Sequence, residues 1–141
     1  MDKGFHGAKA LVFIGEQVLL YRRDGHVRWG NMWDMPGGGR EGNETPEVCL
    51  ARELYEEFGL EMSKARVLWQ ASFPGMVRPD VLAWFFVLQF PAKAASNIRF
   101  GTEGQYWRLF SVTDALALPD LIPPLRDRFT LWLRRNSDTA E

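Results

Sequence analysis

The chain has 141 residues and a mass of 16.2 kDa, the length of one domain with a core of its own. Its 17 Lys and Arg against 18 Asp and Glu leave a net charge of −1, which argues against polymeric nucleic acid as a partner but not against a small phosphorylated ligand. The single cysteine, Cys49, excludes an intramolecular disulfide and a Cys-rich zinc site and fits a reducing, cytoplasmic setting.

Met1 to His6 lacks the apolar stretch of a signal peptide, so none is expected. Ala8 to Ile14 is apolar and β-prone, Gly15-Glu16 is a turn signal, and Gln17 to Arg23 completes a predicted hairpin. Asp24 to Asn31 reads as a polar loop. Trp33 to Met35 is a short strand stopped by Pro36, and Gly37, Gly38, Gly39 and Gly42 predict a flexible loop. Thr45-Pro46 opens a helix that runs to Phe58, with Thr as N-cap, Pro at the first helical position and Gly59 as the stop. Leu50, Leu54 and Phe58, with Ala51 and Tyr55 beside them, form its apolar stripe. Lys64 to Phe73 and Asp80 to Phe90 are predicted strands joined through Pro74-Gly75 and Pro79. Val81 to Leu88 is apolar throughout, as in a central strand covered on both faces, and is too short to span a bilayer. No membrane partner is therefore expected. Residues 91–104 read as loop, and Gln105 to Phe110 as a strand. Ser111 with Asp114 caps a short helix, and Leu121 to Arg135 forms a last helix with Pro123 and Pro124 in its first turn. The polar tail 136–141 is expected to fray. The succession predicts an α/β (α+β) fold over 1–141 as a single domain, with a mixed β-sheet between helices.

The charge is uneven. Glu41 to Glu61 holds seven carboxylates against one base, Arg52, whereas the rest of the chain holds 16 bases against 11 acids. Two phosphate-binding patterns in this region fail. Gly37 to Gly42 matches G-x-G-x-x-G, but Pro36 blocks the strand and a separate cap starts the helix later. The same stretch lacks the P-loop lysine, since Asn43 stands in its place. Within the helix, Glu53, Glu56 and Glu57 fall within an arc of roughly 100°. Spacing alone favours a solvated acidic face. Like charges at i, i+3 and i+4 with no lysine beside them, two of them at the negative end of the helix dipole, weaken that reading, and a bound cation would remove both penalties. Clustered carboxylate oxygens suit Mg²⁺ or Mn²⁺.

Gly38 to Leu60, GGREGNETPEVCLARELYEEFGL, matches G-x5-E-x7-R-E-U-x-E-E-x-G-U at every fixed position, U being a bulky aliphatic residue. The stretch resembles the signature of the Nudix (MutT-like) hydrolases, and the Trp33-x-x-Pro36-Gly37-Gly38 lead-in is similar to that family as well. The resemblance implies an α/β/α sandwich and metal-dependent hydrolysis of a phosphoanhydride in a nucleoside diphosphate linked to another moiety. It implies Glu53, Glu56, Glu57 and the carbonyl of Gly38, or of its neighbour Gly37, as metal ligands, with Glu44 and Arg52 orienting the carboxylates through a salt bridge. Glu53, Glu56 and Glu57 are the catalytic candidates, and Glu103, in the loop before the last strand, is a further one. Arg23, Arg28, Trp33 and Gly37 are the candidates for holding substrate. Mg²⁺ is the expected cofactor, with Mn²⁺ as a substitute. A nucleoside triphosphate or a nucleotide sugar is the preferred small-molecule partner, and a homodimer is compatible with the family. The competing reading is a non-catalytic nucleotide-binding regulatory domain, which usually lacks one or more of these glutamates. A diphosphate isomerase of the same fold needs a catalytic cysteine, and Cys49 lies inside the helix where it cannot serve.

Overall fold

The computed structural model describes residues 4–140, with side chains through Ser137. Met1 to Lys3 and Glu141, and with them part of the expected leaderless start and frayed end, lie outside the described residues. Seven strands form one mixed sheet: β1 (Phe5–Ile14), β2 (Gln17–Arg22), β3 (Trp33–Asp34), β4 (Gly37–Gly39), β5 (Arg66–Pro74), β6 (Leu82–Phe90) and β7 (Tyr106–Phe110). The path runs β3-β2-β1-β6-β5, with β4 paired to β1 and β7 to β2. Among these seven strands only β1 and β6 pair in parallel, from Phe5 opposite Leu82 to Ile14 opposite Phe90. Three helices complete the fold: α1 (Pro46–Phe58), α2 (Val112–Ala117) and α3 (Pro123–Ala140).

The alternation of the central strands decides which helix lies on which face. Ala8, Ala10 and Val12 of β1 and Phe86 and Leu88 of β6 meet Leu50, Leu54 and Phe58 of α1. Leu11 and Phe13, with Phe85 and Val87, meet Leu125, Phe129 and Trp132 of α3 on the other face. The result is the expected α/β/α sandwich.

The first helix begins and ends as the sequence predicts. Thr45 Oγ1 accepts a hydrogen bond from Val48 N at 3.2 Å, and Gly59 takes the left-handed conformation, φ 68°, that closes the helix. Tyr55 differs: it is 56% exposed, and the buried Cys49 takes its place beside the stripe. The glycine segment expected to be a flexible loop is instead β4, paired with β1 through Gly7–Gly39, Ala8–Gly38 and Lys9–Gly37. Gly37 lies closer to β1 than a residue with a side chain could, since a Cβ there would run into the Ala8 carbonyl. The expected loop 91–104 contains a 3-10 turn at Ala92–Asn97. The last helix starts two residues later than predicted because Leu121 bridges to Trp33. It continues through Ala140.

Candidate active site

Helix α1 and strand β4 build the site together. Gly37 N donates to Glu57 Oε1 at 2.9 Å, which ties the strand to the last turn of the helix. Glu57 is only 9% exposed, and burial pushes its carboxyl up to about 8, with the neighbouring Glu53 adding to the shift and Lys9 opposing it. Burial raises the Glu53 carboxyl too, against the pull of Arg52. Both carboxylates face a pocket of about 410 Å³ whose walls include Gly37, Gly38, Gly39, Lys9, Tyr21, Arg23 and Glu103.

Arg52 is the clasp of the cluster. Its Nε and Nη2 donate to Glu44 at 2.7 and 3.1 Å, a fork-to-fork pair, and Nη2 also reaches the Gly39 carbonyl at 2.7 Å. Its Nη1 donates to Glu53 at 3.1 Å and Glu56 at 3.2 Å. The pairing holds the Glu44 carboxyl below its ordinary value. The acidic helix is therefore not without a basic partner, as its lack of lysines suggests: one arginine pairs with two of its carboxylates, Glu53 and Glu56, and with Glu44 just before it.

The structure does not bring every candidate to the pocket. Glu56 is exposed on Arg52 and does not line it. Arg23 lines it, but Arg28 is exposed and contributes only its carbonyl, which accepts from Arg23 Nε at 2.7 Å. Trp33 is 4% exposed in the α3-side core, edge-on to Tyr106 and Phe110. Exposed Glu103 stands in the pocket wall, and again in that of a smaller adjoining pocket with Asp24, His26 and Gly104.

A buried polar network under the pocket is absent from the motif reading. Asp34 Oδ2 accepts from Lys9 Nζ at 3.0 Å, Arg23 Nη1 at 2.7 Å and Tyr21 Oη at 3.1 Å. Lys9 also donates to the Met35 and Gly37 carbonyls, both at 3.1 Å. The signal for it was a lysine interrupting the apolar run of β1.

Among the described residues no three carboxylate, imidazole or thiol groups converge as a ready cation cage. The donors at the pocket nonetheless fit a divalent cation in kind. Glu53 and Glu57 are carboxylates that repel one another, and the Gly38 backbone stands against Glu53 so closely that a Cβ there would lie 2.6 Å from the carboxyl carbon. Oxygen donors of this sort select Mg²⁺ or Mn²⁺. The close approach has a measurable consequence. Gly38→Ala must displace the Glu53 carboxylate, so the stabilising effect of Mg²⁺ in thermal melts is expected to fall at least tenfold in apparent affinity. An unchanged Mg²⁺ titration would contradict this.

Comparison with known proteins agrees with the geometry. The NUDIX domain model matches residues 5–133, so the chain belongs to the NUDIX family. It is 35% identical over 72 residues to an 8-oxo-dGTP diphosphatase of Proteus vulgaris, covering 51% of this chain and 64% of the relative. It is 32% identical over 109 residues to an RNA pyrophosphohydrolase of Aeromonas hydrophila subsp. hydrophila, covering 62% of this chain and 61% of the relative. The chain thus spans somewhat under two thirds of the length of these curated relatives. Among solved structures, a MutT protein from Methanosarcina mazei Go1 superposes with a TM-score of 0.73 at 25% identity, over 96% of this chain and 98% of the other. Among the described residues no helix is long and apolar enough to cross a membrane.

Proposed function

We propose that this chain is a metal-dependent pyrophosphohydrolase that cleaves a phosphoanhydride bond in a nucleoside diphosphate linked to another moiety, with a nucleoside triphosphate or nucleotide sugar as substrate. The observation that carries this reading is a pair of carboxylates, buried Glu57 and partly buried Glu53, set against the Gly37–Gly39 backbone in one pocket. The names of the curated relatives, a diphosphatase and a pyrophosphohydrolase, support the same class of reaction. All the motif glutamates are present, which disfavours the non-catalytic alternative.

Glu53, Glu57 and the Gly38 carbonyl would hold Mg²⁺, or Mn²⁺ in its place. The cation would neutralise the diphosphate and make a water acidic enough to lose a proton near neutral pH. Arg52 fixes the Glu53 rotamer and keeps Glu44 against the Gly39 strand end. Arg23, at the pocket wall, directs its remaining guanidinium surface toward substrate oxygens. Glu103, exposed at the wall, serves as the proton acceptor. The unit is a single domain that works on a small nucleotide in the cytoplasm.

The test is a panel of nucleoside triphosphates, nucleotide sugars and dinucleoside polyphosphates with Mg²⁺, read as released phosphate or pyrophosphate and nucleotide. Turnover of at least one class is expected, with Mg²⁺ raising the melting temperature by several degrees at millimolar concentration. A protein that neither hydrolyses any member nor responds to Mg²⁺ would overturn the reading.

A further inference from the structure

The pocket has a second end that the phosphate chemistry leaves unused. Arg128 of α3, from the helical layer opposite Glu53 and Glu57, lines the same pocket and is one of three buried charged residues among those described. The other two are Asp34, tied to Lys9 and Arg23, and Glu57, tied to Gly37 N. Arg128 has no ion pair among the described residues. Its Nη2 donates to the Pro74 carbonyl at 2.9 Å, and the guanidinium lies 4.8 Å from the Phe73 ring centroid. Burial pulls its pKa down. One hydrogen bond uses one of five donors.

A guanidinium in a pocket wall that spends one donor on the protein leaves the others for water or for a ligand that supplies acceptors. Met76 and Ala83 add apolar lining to the pocket. His6 lines this end as well, and its Nε2 is buried without a hydrogen-bond partner. A flat, largely apolar group that presents two acceptors side by side meets these demands together. The O6/N7 edge of a 6-oxopurine is such a group, and a guanidinium fork grips it with two parallel bonds. Adenine offers a donor where the oxygen would be, and pyrimidines lack N7.

We propose that Arg128 is the specificity-determining residue of the pocket, and that it selects nucleotides of guanine or hypoxanthine by their O6/N7 edge. This deepens the hydrolase reading above and rests on it for the orientation of substrate. The second source of paired acceptors, a terminal phosphate, is common to all nucleoside triphosphates and is separated by the experiment.

The experiment measures kcat/KM of the wild type for GTP, ITP, ATP and CTP with Mg²⁺, and calorimetric binding of GMP, IMP, AMP and CMP. GTP and ITP are expected to be preferred alike by tenfold or more, mainly through KM. In Arg128→Met that preference is expected to fall at least tenfold. Arg128→Lys keeps the charge without the fork and is expected to lose most of it too, so the test survives if the Met variant does not fold. The inference is overturned if the wild type binds the four monophosphates equally, or if the variants lower kcat/KM for all four triphosphates by the same factor, the signature of a phosphate contact or a purely structural role. Absence of all hydrolysis with selective binding of GMP and IMP intact would instead strike the hydrolase reading and leave the assignment of Arg128 standing.

Discussion

Glu57→Gln is expected to lower hydrolysis roughly a thousandfold or more while making the metal-free protein more stable at alkaline pH. The two effects have one origin. Glutamine keeps an oxygen for the Gly37 amide, so the 2.9 Å bond that ties β4 to α1 can persist. It cannot supply the charge that a cation needs. The stability effect follows from the proton. Burial pushes the Glu57 carboxyl up to about 8, from an ordinary value of 4.5. Between those values the folded protein holds a proton that the unfolded chain has released. Stability from this group is therefore complete below about pH 4.5, declines as pH rises through the window, and reaches its floor above about 8. Urea denaturation in chelator-treated buffer from pH 5 to 9 should show that decline in the wild type and a shallower one in Glu57→Gln. Addition of Mg²⁺ should restore the wild type at high pH and leave the variant unmoved. Parallel pH profiles for the two proteins, or full activity in the variant, would refute this account.

How much of this site can be read from residues alone depends on how local its causes are. The acidic helix is legible because its limits are set by neighbours in sequence: Thr45 caps Val48, Pro46 begins the turn and Gly59 ends it. The pairing of Arg52 with Glu44 spans a fixed motif and is legible for the same reason. Strand β4 is not. Three glycines carry no strand propensity, and their extended pairing is imposed by β1 and by the Glu57 carboxylate, both distant in sequence. Trp33 shows how a motif neighbour can mislead. It stands next to the pocket in sequence, yet strand alternation sends Asp34 into the network and Trp33 into the core beside α3. Lys9 and Arg128 carry the opposite lesson. Lys9 is a charge set in an apolar pattern, between Ala8 and Ala10, whereas Arg128 follows Arg126 and Asp127 and stands out in no such pattern. Such residues mark a buried polar site only when the partner is known, and Asp34 and the Pro74 carbonyl come from distant segments.

That network sets the largest stability effect expected of a single substitution. Asp34 is 1% exposed and compensates Lys9 and Arg23 at once. Asp34→Ala leaves the Lys9 ammonium buried without a carboxylate, and breaking a buried pair from one side costs about 3–5 kcal/mol. Against a total of about 5–15 kcal/mol for an ordinary domain, this brings the protein close to unfolding. Asp34→Asn retains an acceptor for Tyr21 and loses only the charge, so its loss should be smaller. The damage should also reach the chemistry, because the Lys9 amine that binds Asp34 also binds the Gly37 carbonyl, and the Gly37 amide holds Glu57. Removal of both partners separates the terms. Lys9→Met with Asp34→Leu removes the ammonium together with its carboxylate, leaves only the more exposed Arg23 unpaired, and should recover more than half of the stability lost in Asp34→Ala. It should not recover hydrolysis, since nothing then anchors the Gly37 carbonyl from below. Equilibrium denaturation of the three variants, with Mg²⁺-dependent turnover measured on each, decides the matter. A loss below about 1 kcal/mol in Asp34→Ala would show that the network is solvated rather than buried, and full activity in the double variant would show that β4 needs no support from Lys9.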